Sequence, residues 1–388
     1  MADLRPRTRT YLDYNATAPV RPEARAAVLS AMETTGNPSS VHAEGRAARR
    51  IVEDARAEVA RLAGVAPRCV TFVSSATEAA NLALNPLLGA EPGGAPIGRL
   101  IAGAGEHLCV LAGHRFPTAA TEIAPLRDDG RIDLDWLEAA CRRPGRALLA
   151  LQGANNETGV IQPVAEAATM VHAAGGVVFC DAVQLAGRAS CDIAELGADV
   201  LALSAHKMGG PKGAGALAAA RDAFNIGATL IRGGGQERGA RAGTENVAAI
   251  AGFGAAARSR AGERDAEAAR LLSLRECIAH AVKAIAPDAV IFGESAPRLP
   301  NTLCFAVPSV EAATLMIALD LSGVAVGSGS ACSSGKVASS HVLAAMGVTS
   351  RLARGAIRIS LGWGSSAEDV ERFAEAFAGA LARMGKKR

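Results

Sequence analysis

The chain has 388 residues, enough at roughly 150 residues per domain for two or three domains with sizeable cores. Lys and Arg number 41 against 38 Asp and Glu, and this net +3 without a basic cluster excludes a nucleic-acid-coating or polybasic membrane protein. Hydrophobic residues at 49% and charged residues at 20% exclude disorder as the dominant state, and aromatics at 3% argue against stacking platforms.

From Arg21 to Ala257 helical and strand-like patterns alternate. Arg46 to Ala63 repeats apolar residues at helical spacing, with Arg and Glu on the other face. Cys69 to Val73 is a short β-rich run, and Ser75 to Glu78 follows it with capping-box spacing. Leu100 to Ala102, Leu148 to Leu151, Val177 to Cys180 and Val200 to Leu203 are short, apolar throughout and bounded by Gly or polar residues. That pattern is expected of strands covered on both faces, with helices such as Val164 to Ala173 between them. The expected class is α/β: a large domain, 15–257, built on a mainly parallel sheet. After Ala257 the spacing predicts a long helix, Arg258 to Ala286. Shorter segments follow (Thr302 to Val307, Val324 to Val326, Ala356 to Leu361), then a last helix, Ala367 to Met384. Residues 1–14 and 258–388 are expected to form a smaller α+β domain.

The longest apolar run, Val247 to Ala257, has 11 residues, short of the roughly 18 a membrane span needs. The arginine-bearing start has no apolar stretch or cleavage site of a secretory leader after it. Eight scattered cysteines without a CxxC pair suit reduced, mostly buried thiols. A soluble cytoplasmic enzyme is expected, with neither nucleic acid nor membrane as partner.

Several residues could carry chemistry. Lys207 follows the strand Val200 to Leu203, where a lysine is commonly a solvated strand end. The glycine-rich bend Met208 to Gly213, with Ser204 and His206 as donors for an anion, also suits a Schiff-base cofactor site. Asp181 at a strand end reads either as a helix cap or as the partner of a pyridinium nitrogen, with Gln184 in reach of the same ring. Ser75 to Glu78, which includes Ala76 and Thr77, reads as a plain cap or as an anion site at a helix N-terminus. His107 is structural, or it stacks on a flat cofactor and moves protons. Asn155 to Gly159, which includes Asn156, is a polar turn. Cys332 lies in a loop, 327–335, too rich in Gly and Ser for packed core, where a thiol can ionise and reach a substrate. Arg358, inside the apolar run Ala356 to Leu361, demands an anionic partner such as a substrate carboxylate.

An ordered set of eleven strings makes this constellation recognisable: YLDYNATAP (11–19), GNPSSVH (36–42), SSATEAAN (74–81), EH (106–107), NNETGVIQPV (155–164), DAVQ (181–184), SAHKMGGPKG (204–213), GGGQERGARAGTENV (233–247), GSGSACSSGK (327–336), SHVLAAMG (340–347) and RISLG (358–362). Together they resemble the cysteine desulfurases of the NifS/IscS type, pyridoxal-phosphate (PLP) enzymes of the class-V aminotransferase family with the type I fold. The resemblance implies that Lys207 carries the cofactor, Asp181 pairs with the pyridinium nitrogen and Gln184 meets the ring hydroxyl. It makes His107 the stacking and proton-transfer residue. Ala76, Thr77, Ser204 and His206 would hold the phosphate, and Asn156 would border cofactor and substrate. Thr244 would reach the neighbouring subunit's phosphate, which implies a homodimer. Arg358 and Asn156 would grip the carboxylate of L-cysteine.

The implied reaction leaves L-alanine and a persulfide on Cys332, a residue of the mobile loop expected at about 327–340. The sulfur then passes to an acceptor or to an iron-sulfur scaffold protein. No resident metal is expected, Cys332 being the one candidate for transient iron-sulfur ligation. The alternatives are a selenocysteine lyase or another class-V PLP enzyme, and a non-catalytic sulfur-relay subunit. The Cys332 loop and the complete Lys207, Asp181, His107 set favour desulfuration.

Overall fold

The computed structural model describes residues 9–90, 95–222, 224–328 and 340–385, apart from the side chains of residues 261 and 263. The first strand, β1 (Thr10–Leu12), belongs to a smaller sheet. The larger sheet takes the next seven: β2 (Val70–Val73), β3 (Arg99–Gly103), β4 (Thr121–Ala124), β5 (Ala147–Gln152), β6 (Val177–Asp181), β7 (Val200–Ser204) and β8 (Gly215–Ala219). Their order across the sheet is β2-β8-β7-β6-β5-β3-β4. The strands expected from short apolar runs are present, each a residue longer at one or both ends, and all but the ends of β3 and β6 are buried. The helix Val164–Ala173 has the expected bounds and packs against β5 and β6.

Pairing is parallel from β7 through β6, β5 and β3 to β4, so these five strands end on the same edge. β8 runs antiparallel to both β7 and β2. Only ten residues join β7 to β8, too few for the crossover that a parallel return requires. The glycine-rich bend with Lys207 is that connection. Gly209 within it has φ +92°, and a Cβ there would lie 2.7 Å from Arg21 Cγ, so only glycine fits the turn.

The smaller sheet adds β9 (Val290–Ile291), β10 (Thr302–Ala306), β11 (Val324–Ser328) and β12 (Ile357–Ser360) in the order β1-β11-β12-β10-β9. A separate apolar core lies under it, with Leu303, Phe305, Ile357, Phe373 and Phe377 fully buried.

One helix, Val247–Ile285, serves both cores. Its 39 residues begin eleven positions before the Arg258 start that the sequence predicts. Asn246 caps it, its side chain accepting the Ala249 N–H at 3.1 Å. The run Val247 to Ala257 is helical because its small residues let helices approach closely. A Cβ at Gly254 would lie 2.5 Å from Ala55 Cα, and one at Gly252 would lie 2.6 Å from Val28 Cγ2. Phe253 and Ala256 belong to the first core, whereas Leu271, Ile278 and Val282 belong to the second. No helix among the described residues is long and apolar enough to cross a membrane.

Candidate active site

The carboxyl ends of β3, β5, β6 and β7 open into one cavity of about 260 Å³, the place where open α/β sheets bind ligands. Ala76, Thr77, His107, Asn156, Asp181, Gln184, Ser204, His206, Lys207 and Arg358 all line it. Thr244 is exposed and lies outside the cavity. Cys332 lies outside the described residues.

Lys207 is half-buried just beyond β7, and its Nζ donates to the carbonyls of Asn15 (2.7 Å) and Ala16 (3.0 Å). Asp181 ends β6, with Oδ1 accepting the Val183 N–H at 3.0 Å. Burial raises its carboxyl above the ordinary aspartate range, while the Val183 N–H and the nearby His107 and Lys207 pull the other way. His107 caps the short helix Leu108–Leu111, and its Nδ1 accepts the Cys109 N–H at 3.1 Å. Burial holds its imidazole below the usual histidine range, so the neutral ring carries its proton on Nε2. His206, with Nδ1 3.2 Å from Thr17 Oγ1, is lowered to about 4 by burial and by the charges of Lys207, Lys212 and Arg188.

At the opposite wall the helix Ala76–Ala83 begins. Ser75 Oγ accepts the Glu78 N–H at 3.2 Å, and Glu78 Oε2 accepts the N–H (2.8 Å) and hydroxyl (2.5 Å) of Ser74. The capping box is thus shifted by one residue, from Ser75 to Ser74 on its return arm. The N–H groups of Ala76 and Thr77 have no intrahelical acceptor and sit at the positive end of the helix. Gly215, paired with Ser204 across β7 and β8, admits this helix end: a Cβ there would lie 2.6 Å from the Ser75 carbonyl carbon.

Arg358 is 2% exposed and enters from the smaller sheet. Its Nη2 pairs with Asp13 Oδ1 at 2.7 Å and its Nη1 donates to the Asn156 carbonyl at 3.1 Å. Its Nε is buried and has no hydrogen-bond partner. Gly327 lies opposite it on β11, where a Cβ would come within 2.7 Å of Arg358 Nη2. The arginine therefore needs a glycine neighbour.

Of the residues without a part in the sequence reading, Asn15 lines the cavity, whereas Glu106 and Glu157 are buried outside its lining. Asn15 accepts from Lys207 and donates its side chain to the Asn156 carbonyl (3.1 Å) and Thr302 Oγ1 (2.9 Å). Glu106 is fully buried, one oxygen accepting the Gln152 N–H at 2.7 Å and the other having no partner. Both lie in strings quoted above, but a polar residue in a turn gives no sign of what it will meet. Glu157 accepts the Ser340 hydroxyl at 2.5 Å, pinning the start of the helix His341–Ala345.

Burial pushes the Glu157 carboxyl up to about 7 against the opposing Ser340 hydrogen bond and Arg358 charge. Folded Glu157 thus keeps a proton that the unfolded chain releases, so its contribution to stability falls as pH rises between about 4.5 and 7. Glu157→Gln keeps an acceptor for Ser340 and removes this penalty. Urea melts should show the variant gaining up to about 3 kcal/mol over wild type at pH 8, with the gain shrinking toward pH 5. A constant difference across that window would contradict the assignment.

The donor set fits a flat, anionic pyridoxal phosphate. The helix N-terminus, the Ser204 hydroxyl and the His206 ring suit its phosphate, Asp181 its ring nitrogen and Gln184 its ring oxygen. The Arg358 guanidinium, which lines the same cavity, suits a carboxylate.

Comparison with known proteins gives the same answer. The sequence model of the aminotransferase class-V family matches residues 10–373. A cysteine desulfurase of Frankia sp. (strain EuIK1) is 42% identical over 96% of this chain and 91% of its own length. The crystal structure of a NifS-like protein from Rickettsia africae ESF-5 superposes with TM-score 0.86 at 33% identity, covering 96% of this chain and 99% of that one. The structure of SspA in complex with cysteine matches with TM-score 0.76 at 27% identity, over 91% of this chain and 98% of the other. The chain belongs to the class-V aminotransferase family, in its cysteine desulfurase group, and is a PLP-dependent enzyme.

Proposed function

We infer that the protein converts L-cysteine to L-alanine and moves the substrate sulfur to Cys332 as a persulfide, supplying sulfur for iron-sulfur or other sulfur-containing cofactors. The observation that carries this reading is the convergence of Lys207, Asp181 and the Arg358 guanidinium on one cavity. The balance is simple: L-cysteine and the Cys332 thiol give L-alanine and a Cys332 persulfide. PLP supplies an electron sink for the pair left when a proton leaves the substrate Cα.

The chain's own residues do the rest. Arg358 and Asn156 hold the substrate carboxylate, and Lys207 releases its amine from the Asn15 and Ala16 carbonyls to remove the Cα proton. Asp181 keeps the ring nitrogen protonated. Cys332 thiolate attacks the substrate sulfur; the S–S bond forms as the C–S bond breaks, the released electron pair takes a proton at Cβ, and Lys207 returns the Cα proton to complete alanine.

Ser328, the last described residue before the Cys332 segment, adjoins Gly327, the cross-strand partner of Arg358. The exposed Thr244 is free to reach a second subunit, and we propose a homodimer in which it touches the neighbour's phosphate. A cytoplasmic location, with a sulfur-acceptor or scaffold protein as partner, follows from the same reading.

The test is alanine formation from L-cysteine, run beside L-selenocysteine, with the sulfane sulfur mapped to Cys332. Turnover of selenocysteine alone would instead make the protein a selenocysteine lyase. In the same assay Arg358→Lys should lose at least about a hundredfold in kcat/KM, roughly 3 kcal/mol, because a lysine cannot span Asp13, Asn156 and a carboxylate at once.

A further inference from the structure

Behind the cavity, on the side away from solvent, sits Arg188, 5% exposed. Its Nη1 donates to the Gln184 carbonyl (3.0 Å) and to Gln184 Oε1 (2.7 Å). Its Nη2 donates to the carbonyls of Lys207 (3.1 Å) and Tyr14 (3.4 Å). One guanidinium thereby ties together three walls of the cavity: the Tyr14–Asn15 turn, Gln184 and the segment that carries Lys207.

Two consequences follow. Arginine only donates, so Gln184 Oε1 must face Arg188 and the amide nitrogen must face the other way. That nitrogen spends one hydrogen on the Asn15 carbonyl at 3.2 Å and keeps one for the cavity that Gln184 lines. Moreover, every atom that receives a hydrogen bond from Arg188 is neutral. The charged groups facing it are Arg260 and Glu267 from the long helix and Arg358 from β12. Glu267 is itself paired with Arg21 at 2.7 Å and with Arg260. Three buried arginines thus surround one carboxylate, and the surplus positive charge lies next to a cavity built for anions.

We propose that Arg188 is a positioning residue for the cofactor: it locks the Gln184 amide so that its N–H meets the ring oxygen, and it lends that bond a buried positive charge. A hydrogen bond donated by a cation to the amide oxygen strengthens the donor at the amide nitrogen. The charge also favours the more anionic form of the ring bound to Lys207. The other titratable groups facing that ring are Asp181, His107, His206, Cys109 and Lys207 itself; of these, His206 also feels the Arg188 charge directly, an effect that does not pass through Gln184.

The inference rests on the cavity being the PLP site, and the experiment separates the two. Wild type, Arg188→Gln, Gln184→Ala and the double variant are loaded with PLP, and the visible absorbance of the bound cofactor is titrated against pH. We expect Arg188→Gln to raise the titration midpoint by about one unit, and to raise it clearly less in the Gln184→Ala background, where only the direct effect of the charge is left. If Arg188→Gln does not fold, Arg188→Lys takes its place in the same cycle, with a smaller rise that again shrinks without Gln184. An unchanged midpoint in a PLP-loaded Arg188 variant overturns the proposal, as does an equal shift with and without Gln184. A wild-type protein that takes up no PLP overturns the cofactor site instead.

Discussion

Lys207→Ala should yield a folded protein that makes no measurable alanine from L-cysteine, a loss of at least about 10⁴-fold. The magnitude follows from the two roles proposed for one amine, covalent attachment of the cofactor and movement of the Cα proton. Neither of the two histidines that line the cavity can take over. His107 is held neutral by burial, and its Nδ1 is committed to the Cys109 N–H. His206 is pushed down to about 4 and lies on the phosphate side. The variant should still bind PLP, because the helix N-terminus, Ser204 and His206 are untouched. Borohydride should fix the cofactor to wild type and leave it free in the variant. Turnover within tenfold of wild type would falsify the mechanism as a whole.

Cys332→Ala should separate the two halves of the reaction. PLP loading and the spectral response to L-cysteine persist, whereas sulfide and alanine production fall by at least about 10³-fold, since no thiolate remains to take the sulfur. Among the described residues, Cys109 is the one thiol that lines the cavity. Burial, reinforced by Asp181 and Glu106, pushes its thiol far above the ordinary cysteine range, so it is not a thiolate at neutral pH. Cys180 and Cys304 are raised in the same way by complete burial. Mass spectrometry of the wild type after one turnover should locate the added sulfur on the peptide containing Cys332. Persistence of turnover in Cys332→Ala, with loss on Cys109→Ala, would move the acceptor role to the cavity wall.

Much of the site is legible without coordinates because its chemistry is tied to local pattern. A lysine in a glycine-rich bend after an apolar strand, an aspartate ending another, and an arginine inside a third each break the hydrophobic rule that surrounds them. Such breaks mark function. The larger sheet is legible for a related reason: strands covered on both faces are short unbroken apolar runs, and β5, β6 and β7 stand within a residue of where those runs lie.

Local pattern is silent where the partner is distant. β8 is rich in alanine and glycine and reads as neither strand nor helix; it is a strand because β2 and β7 flank it. The run Val247 to Ala257, legible only as an apolar stretch, is helix where two other helices fit its glycines. Asp13 meets Arg358 across 345 positions, and Arg188 joins Tyr14, Gln184 and Lys207 from three separate turns. The sequence by itself determined which residue types the chemistry would use and most of the segments that are strands and helices, because propensity and burial period are local quantities. Only the tertiary structure decided which charges neutralise one another and which side chains meet in the cavity. Those pairings depend on the chain ends and turns that the two sheets bring together, and no spacing along the chain encodes them.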